Sequence, residues 1–259
     1  MTYRQLYQQY RHLGDLTARR LLCFASLRSP AELLRGFDDS VSAEIAETFG
    51  LCARRALAGE HEAYITGEWE FFGLPLFITP AVLIPRVDTE EIVSKSLELL
   101  RGIENARVLD LCCGSGCIGI AIAKQLSCEL TAVDISAEAL KLTRRNAALN
   151  NVKIRTLKCN ALTENPYKDE HFDLLVSNPP YLLTSEIETL DKSVRDYEPR
   201  LALDGGNDGL AFYRAIARLW SNCAENIVVE CAIAQVSDVE RILPGAVVVG
   251  TGTIARSPT

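Results

Sequence analysis

Short runs dense in Val, Ile and Leu recur through the second half of the chain, at 107–111, 129–134, 152–158, 172–178, 226–230 and 246–250, with helix-period segments between most of them. That alternation predicts an α/β fold, a doubly wound and mostly parallel sheet whose ligands bind at the carboxyl ends of the strands. The opening residues follow a helical period instead. Leu6, Tyr10 and Leu13 repeat before Gly14, and Asp15 stands where a cap belongs for a second helix with apolar face Ala18, Leu21, Leu22 and Ala25. Ser29-Pro30 reads as a cap and first turn ahead of Leu33 and Leu34, and Ser42 caps a further helix through Ile45, Phe49, Cys52, Ala53 and Leu57. The aromatic and β-branched stretch from Tyr64 to Ile78, split by Gly73-Leu74-Pro75, predicts a hairpin. Three parts are therefore expected: a helical domain over residues 1–60, a β-hairpin linker over 61–86, and a sheet domain over 87–259. Asp88 and Glu91 supply a capping box for the first helix of the sheet domain. The helical domain carries no candidate catalytic motif, so its expected task is to choose a partner.

Asn178-Pro179-Pro180-Tyr181 follows the strand 172–178 and suits a particular chemistry. An amide or aromatic amine is a poor nucleophile, because its lone pair is delocalised; attack on a methyl sulfonium needs the NH2 group held, aimed and kept from water. The Asn178 side-chain oxygen and the Pro179 carbonyl can each accept one N–H, the prolines stiffen that carbonyl, and Tyr181 offers a flat wall. The same four residues would also make an ordinary strand-end turn.

A second motif narrows the choice. The strand Arg107–Leu111, which contains Asp110, runs into Cys112-Cys113-Gly114-Ser115-Gly116 and then a helical apolar pattern. Glycines at 114 and 116 allow a tight turn and close ligand approach, as in nucleotide-binding βα turns. About twenty residues on, the next strand ends at Asp134-Ile135, which puts a carboxylate where ribose hydroxyls would donate. The turn lacks the third glycine of the dinucleotide fingerprint, which argues against NAD. S-adenosylmethionine has no pyrophosphate to cradle and fits better.

Composition adds limits. The 259 residues are 48% hydrophobic, ample for a core, and neither a long apolar span nor a signal peptide is evident, so cytoplasmic residence is expected with no membrane partner. The nine cysteines form no Cys-x-x-Cys pair and read as small buried hydrophobes kept reduced. Cys113 and Cys117 have helical spacing, but His12, His61 and His171 lack zinc-ligand spacing, so no metal is expected. A net charge of −7 gives no bulk attraction to phosphate backbones, and direct nucleic-acid binding is not expected. Arg19-Arg20 and Arg54-Arg55 read as solvated faces. Arg86, just ahead of the sheet domain, is a candidate pocket residue.

From about Tyr64 to Gln235 the chain resembles the HemK-like protein-(glutamine-N5) methyltransferases, which modify the Gly-Gly-Gln glutamine of peptide-chain release factors. The resemblance rests on a series of motifs in order: Ala63–Gly67, Ile84–Glu90, Val108–Leu111, Gly114–Gly116, Ala132–Ser136, Asn178–Tyr181 and Glu198–Leu203, extended by Gly205–Leu210 and Phe212–Arg214. It implies a class I S-adenosylmethionine-dependent methyltransferase fold. It also implies cofactor contacts at Asp110, Cys112, Cys113, Gly114, Ser115, Gly116, Asp134, Ile135, Asn160, Ala161 and Asn178. By the same resemblance Asn178, Pro179, Pro180 and Tyr181 hold the glutamine amide, with Arg86 in the substrate pocket and a release factor as the protein substrate.

The chain departs from that pattern at several places. Cys112 replaces the family's first turn glycine and Cys113 its Thr, which restricts the main chain there. Asn160 and Ala161 replace the acid and aromatic that usually contact adenine, leaving Leu162 as a partial substitute. Val229-Glu230-Cys231-Ala232 replaces Leu-Glu-Ile-Gly, and the ending 250–256 differs. Three other readings stand beside the release-factor one: a ribosomal-protein glutamine methyltransferase, a nucleic-acid amino-methyltransferase, and a cofactor-binding remnant that only docks partners.

Overall fold

The computed structural model describes residues 1–251, which form two compact units, Met1–Gly67 and Glu68 onward. Of the differing ending 250–256, residues 250 and 251 are described and those from 252 on lie outside the described residues.

The first unit is helical: α1 (Tyr3–Gln9), α2 (Asp15–Ser26), α3 (Pro30–Arg35), α4 (Ala43–Leu57) and α5 (Glu62–Thr66). Its core joins Leu6, Leu21, Leu22, Leu33 and Phe49, all at most 2% exposed. Ser29 and Ser42 cap α3 and α4 through their hydroxyls, as the sequence predicts. Other local expectations fail for identifiable reasons. The Leu6–Leu13 repeat is not one helix, because α1 stops at Gln9 and residues 11–13 tighten into a 3-10 turn. Asp15 does not cap α2; Gly14, at φ 89°, does so, and the Asp15 carboxylate instead accepts from the Tyr7 phenol and pairs with Arg19. Arg20 and Arg55 are paired with Glu62 and Glu60, so both basic pairs are partly neutralised by neighbouring acids.

The second unit opens with an antiparallel hairpin, β1 (Glu68–Phe71) and β2 (Leu74–Phe77). Tyr64–Thr66, assigned to the hairpin on composition, is helix, and the turn falls at Phe72-Gly73 rather than at Gly73-Leu74-Pro75. Both turn residues have positive φ, 51° and 71°, the backbone that matches strand twist in two-residue hairpins. The hairpin is stitched to the sheet domain by two asparagines. Asn146 accepts from Phe77 N at 2.8 Å and donates to Phe77 O at 3.1 Å, while Asn150 donates to Pro75 O at 2.9 Å.

Next come α6 (Glu90–Leu99), β3 (Ala106–Leu111), α7 (Cys117–Gln125), β4 (Cys128–Asp134), α8 (Ala137–Leu149), β5 (Ile154–Lys158) and β6 (Phe172–Ser177). After these follow α9 (Lys192–Arg195), α10 (Ala211–Ala215), β7 (Ala224–Ala232), α11 (Val236–Ile242) and β8 (Val247–Thr251). The predicted Asp88–Glu91 capping box does not form: Thr89 stands at the N-cap of α6 without a side-chain cap, since its hydroxyl is engaged elsewhere. The six long strands make one sheet in the order β5-β4-β3-β6-β7-β8, every pair parallel. Chain order reverses between β3 and β6, and Leu111 stands opposite Ser177 in the register. The loops that leave those two strands begin at Cys112 and Asn178. The fold thus brings the glycine turn and the Asn-Pro-Pro-Tyr segment side by side at the switch point, where open α/β sheets bind ligands.

Candidate active site

A cavity of about 350 Å³ opens at that switch point. Cys112, Cys113, Gly114 and Ser115 form one wall, Asp134 and Ile135 another, Asn160, Ala161 and Leu162 a third; Asn178, Pro180 and Arg86 close the far side. Its volume suits a cofactor-sized ligand. A smaller pocket of about 20 Å³, the room of a single water, adjoins it and shares Arg86 and Asn178.

The turn is built by three residues in the left-handed region: Cys112 at φ 61°, Gly114 at 54° and Gly116 at 79°. Only glycine adopts this region freely, so Cys112 holds it under strain. Gly116 does not line the cavity. A Cβ there would lie 2.6 Å from Thr143 Cγ2, so its role is to let α7 approach α8. Nor does Asp110 reach the cavity. Its Oδ2 accepts from Gly119 N at 3.0 Å, satisfying an N–H in the first turn of α7, and burial pushes its pKa up to about 7.

Asp134 binds the turn from within. One carboxylate oxygen accepts from Gly114 N at 2.9 Å and the other from Ser136 N at 2.8 Å; burial raises its pKa while these bonds oppose the shift. The turn's own N–H groups are largely spent: Cys113 N donates to Val133 O, Gly114 N to Asp134 and Gly116 N to Cys113 O. A diphosphate would find few free donors, in agreement with the missing third glycine.

Asn178 donates its side-chain NH2 to Thr89 Oγ1 at 3.2 Å. Pro180 lines the main cavity, but Pro179 and Tyr181 are not among its lining residues. Tyr181 lines the small pocket instead, its phenol donating to Glu230 Oε1 at 3.3 Å beside Thr251 Oγ1. Burial raises the Tyr181 pKa, with Glu230 next, so the phenol stays protonated. Arg86 pairs with Glu198 at 2.6 Å, and burial pushes the Glu198 pKa up against the pull of Arg86.

Sequence reasoning missed several residues. Thr89 lies distant in sequence from Asn178 and meets it only through the fold, and Glu230 joins Asn178 in the lining of the small pocket. Phe212 lines the cavity with Ala161 and Leu162, so an aromatic wall is present although position 161 holds alanine. The Phe212-Tyr213-Arg214 motif was a signal for it, as Glu198–Leu203 was for Pro199, Leu201 and Ala202, which also line the cavity. All nine cysteines are free thiols, six of them buried. Among the described residues, no helix is long and apolar enough to cross a membrane.

Residues 91–205 match the model of the methyltransferase small domain. The release factor glutamine methyltransferase of Geobacter sulfurreducens is 47% identical over 200 residues, which is 76% of this chain and 69% of that protein. The chain belongs to this methyltransferase family. The enzymes of the same name from Fusobacterium nucleatum and Thermodesulfovibrio yellowstonii are 41% and 40% identical, over 70% and 68% of this chain. The matched segments span 52% and 64% of those two relatives. In this methyltransferase Cys112, where the resemblance implies a turn glycine, adopts the left-handed backbone.

Proposed function

We propose that the protein transfers a methyl group from S-adenosylmethionine to the side-chain amide nitrogen of the Gly-Gly-Gln glutamine of a peptide-chain release factor. The observation that carries the reading is the Asn178 side chain at the rim of a cofactor-sized cavity, its NH2 occupied by Thr89. With the NH2 engaged, the side-chain oxygen is the end that accepts a substrate N–H. The names of the relatives support the choice of substrate over ribosomal protein or nucleic acid.

Gly114, Ser115, Asp134, Ile135, Asn160, Ala161 and Phe212 would hold the cofactor, which when bound supplies an electrophilic methyl group. Asn178 accepts one N–H of the glutamine amide and aims its nitrogen; the Pro179 carbonyl, expected to take the other, belongs to a residue outside the lining of both pockets. Pro180 and Leu83 would exclude water, and Arg86, held by Glu198 in the cavity wall, would meet the incoming peptide. Tyr181 backs this wall from the small pocket rather than stacking in the main cavity. No strong base is needed, because the amide proton becomes acidic once nitrogen is alkylated and leaves late to water; catalysis is positioning and desolvation. The helical unit supplies none of the cavity lining and serves to select the protein partner.

The test is transfer of radiolabel from S-adenosylmethionine to purified release factor, beside a factor with Gln→Ala in Gly-Gly-Gln. Label on the intact factor alone is expected, and Asn178→Ala should cut turnover by about 100-fold or more while cofactor affinity changes little. Undiminished turnover in that variant would sink the clamp.

A further inference from the structure

A primary amide can be turned half a revolution about its last torsion at almost no steric cost, exchanging oxygen for NH2. Only one of the two orientations offers an acceptor to a glutamine N–H, so an unrestrained Asn178 would spend part of its time presenting a donor to a donor. Resting on the function proposed above, we infer that Thr89 and Glu230 are positioning residues that lock the Asn178 amide with its oxygen toward the cavity.

Polarity is passed along three groups. Thr89 and Glu230 are 2% and 1% exposed, so water does not compete for them. Glu230 Oε1 takes the Tyr181 and Thr251 hydroxyls at 3.3 and 3.4 Å. Its Oε2 is buried with no hydrogen-bond partner; burial raises the Glu230 pKa, and the Thr89, Tyr181 and Thr251 hydroxyls pull it back down. In its ionised form Glu230 only accepts, and the field of that charge turns the Thr89 proton toward it. A hydroxyl has one proton. The lone pairs of Thr89 are thereby left for Asn178, whose NH2 must donate, at 3.2 Å, and whose oxygen must face the other way. Tyr181, the last residue of the same loop, is tied to the same carboxylate, so one buried acid orients both the amide and the loop that carries it.

The side-chain NH2 of Asn178 can be followed in 15N-labelled protein, its signal identified by its loss in Asn178→Asp. Thr89→Val is nearly isosteric and removes the hydroxyl. It should speed hydrogen exchange of that NH2 by about tenfold or more and lower kcat by a similar factor, while the Kd for S-adenosylhomocysteine stays within about twofold. Thr89→Ser should restore both, which guards against a variant that merely misfolds. Glu230→Gln, which can donate, should lower kcat in the same direction as Thr89→Val without loss of S-adenosylhomocysteine binding. Unchanged NH2 exchange in Thr89→Val, or full turnover in that variant, would overturn the inference. A wild-type protein that labels no Gly-Gly-Gln factor would instead overturn the proposed function, and the exchange measurement would still decide the amide's orientation.

Discussion

Arg86 Nη2 lies 2.6 Å from Glu198 Oε1, so the segment ahead of α6 is tied to the loop beyond β6 by an ion pair whose acid is 1% exposed at its side chain. Removal of the cation leaves a buried carboxylate uncompensated, its other oxygen already without a partner. Arg86→Ala is expected to cost about 3 kcal/mol in urea unfolding. Arg86→Met with Glu198→Leu should recover most of that stability but not turnover, which separates the pair's structural role from its place in the cavity wall.

The left-handed Cys112 stores backbone strain beside the cofactor cavity. Cys112→Gly should relieve it, with a net gain of up to about 1 kcal/mol after the added freedom of the unfolded chain is set against it. Cys112→Val, β-branched at positive φ, should destabilise instead. Opposite shifts of the two urea midpoints are the expected result; equal shifts would show that side-chain packing, not φ, governs this position.

Gly205 packs flat against the Asn-Pro-Pro-Tyr segment: a Cβ there would lie 2.7 Å from Tyr181 Cα and 2.8 Å from Pro180 O. Both are backbone atoms, so the loop must move if a methyl is added. Gly205→Ala should reduce kcat by about 10- to 100-fold with little change in S-adenosylhomocysteine affinity. Steady-state kinetics beside calorimetric titration would show the split.

Asp110 holds a proton in the folded state up to about pH 7, whereas its ordinary pKa is 3.8. Between those values the folded chain binds a proton that the unfolded chain has released, so this group makes stability fall as pH rises through the window and level off above it. Asp134, Glu198 and Glu230 are raised by burial as well and act with the same sign. Asp110→Asn should flatten the trend, visible as a smaller difference between urea midpoints at about pH 5 and about pH 8.

Most of the sheet was legible because β3, β4, β6, β7 and β8 carry compact apolar runs, whereas β5 mixes apolar and polar positions, and the switch point emerged only with the strand order. Asn178, Gly114 and Asp134 could be found by their spacing from the strand ends. What escaped depended on torsions or on distant partners. Phe72 at positive φ is an unusual turn residue, so the glycine and proline after it drew the turn to the wrong place. The resemblance puts Asp110 among the cofactor contacts, yet its partner is an amide in the next helix. Thr89 and Glu230 lie inside the segments Ile84–Glu90 and Val229–Ala232, but nothing local marks their side chains, and only the fold brings Thr89 to Asn178 and Glu230 to Tyr181.

Asn146 holds Phe77 with one face of its amide and also donates to Ser115 O at 2.9 Å, inside the turn that borders the cavity. A single side chain thus splices the hairpin to the cofactor loop. Any trimming of this chain to a minimal catalytic piece would have to cut before Glu68, because a cut at the sequence-predicted boundary near residue 86 would strip Asn146 and Asn150 of their hairpin partners and unseat the floor on which the turn rests.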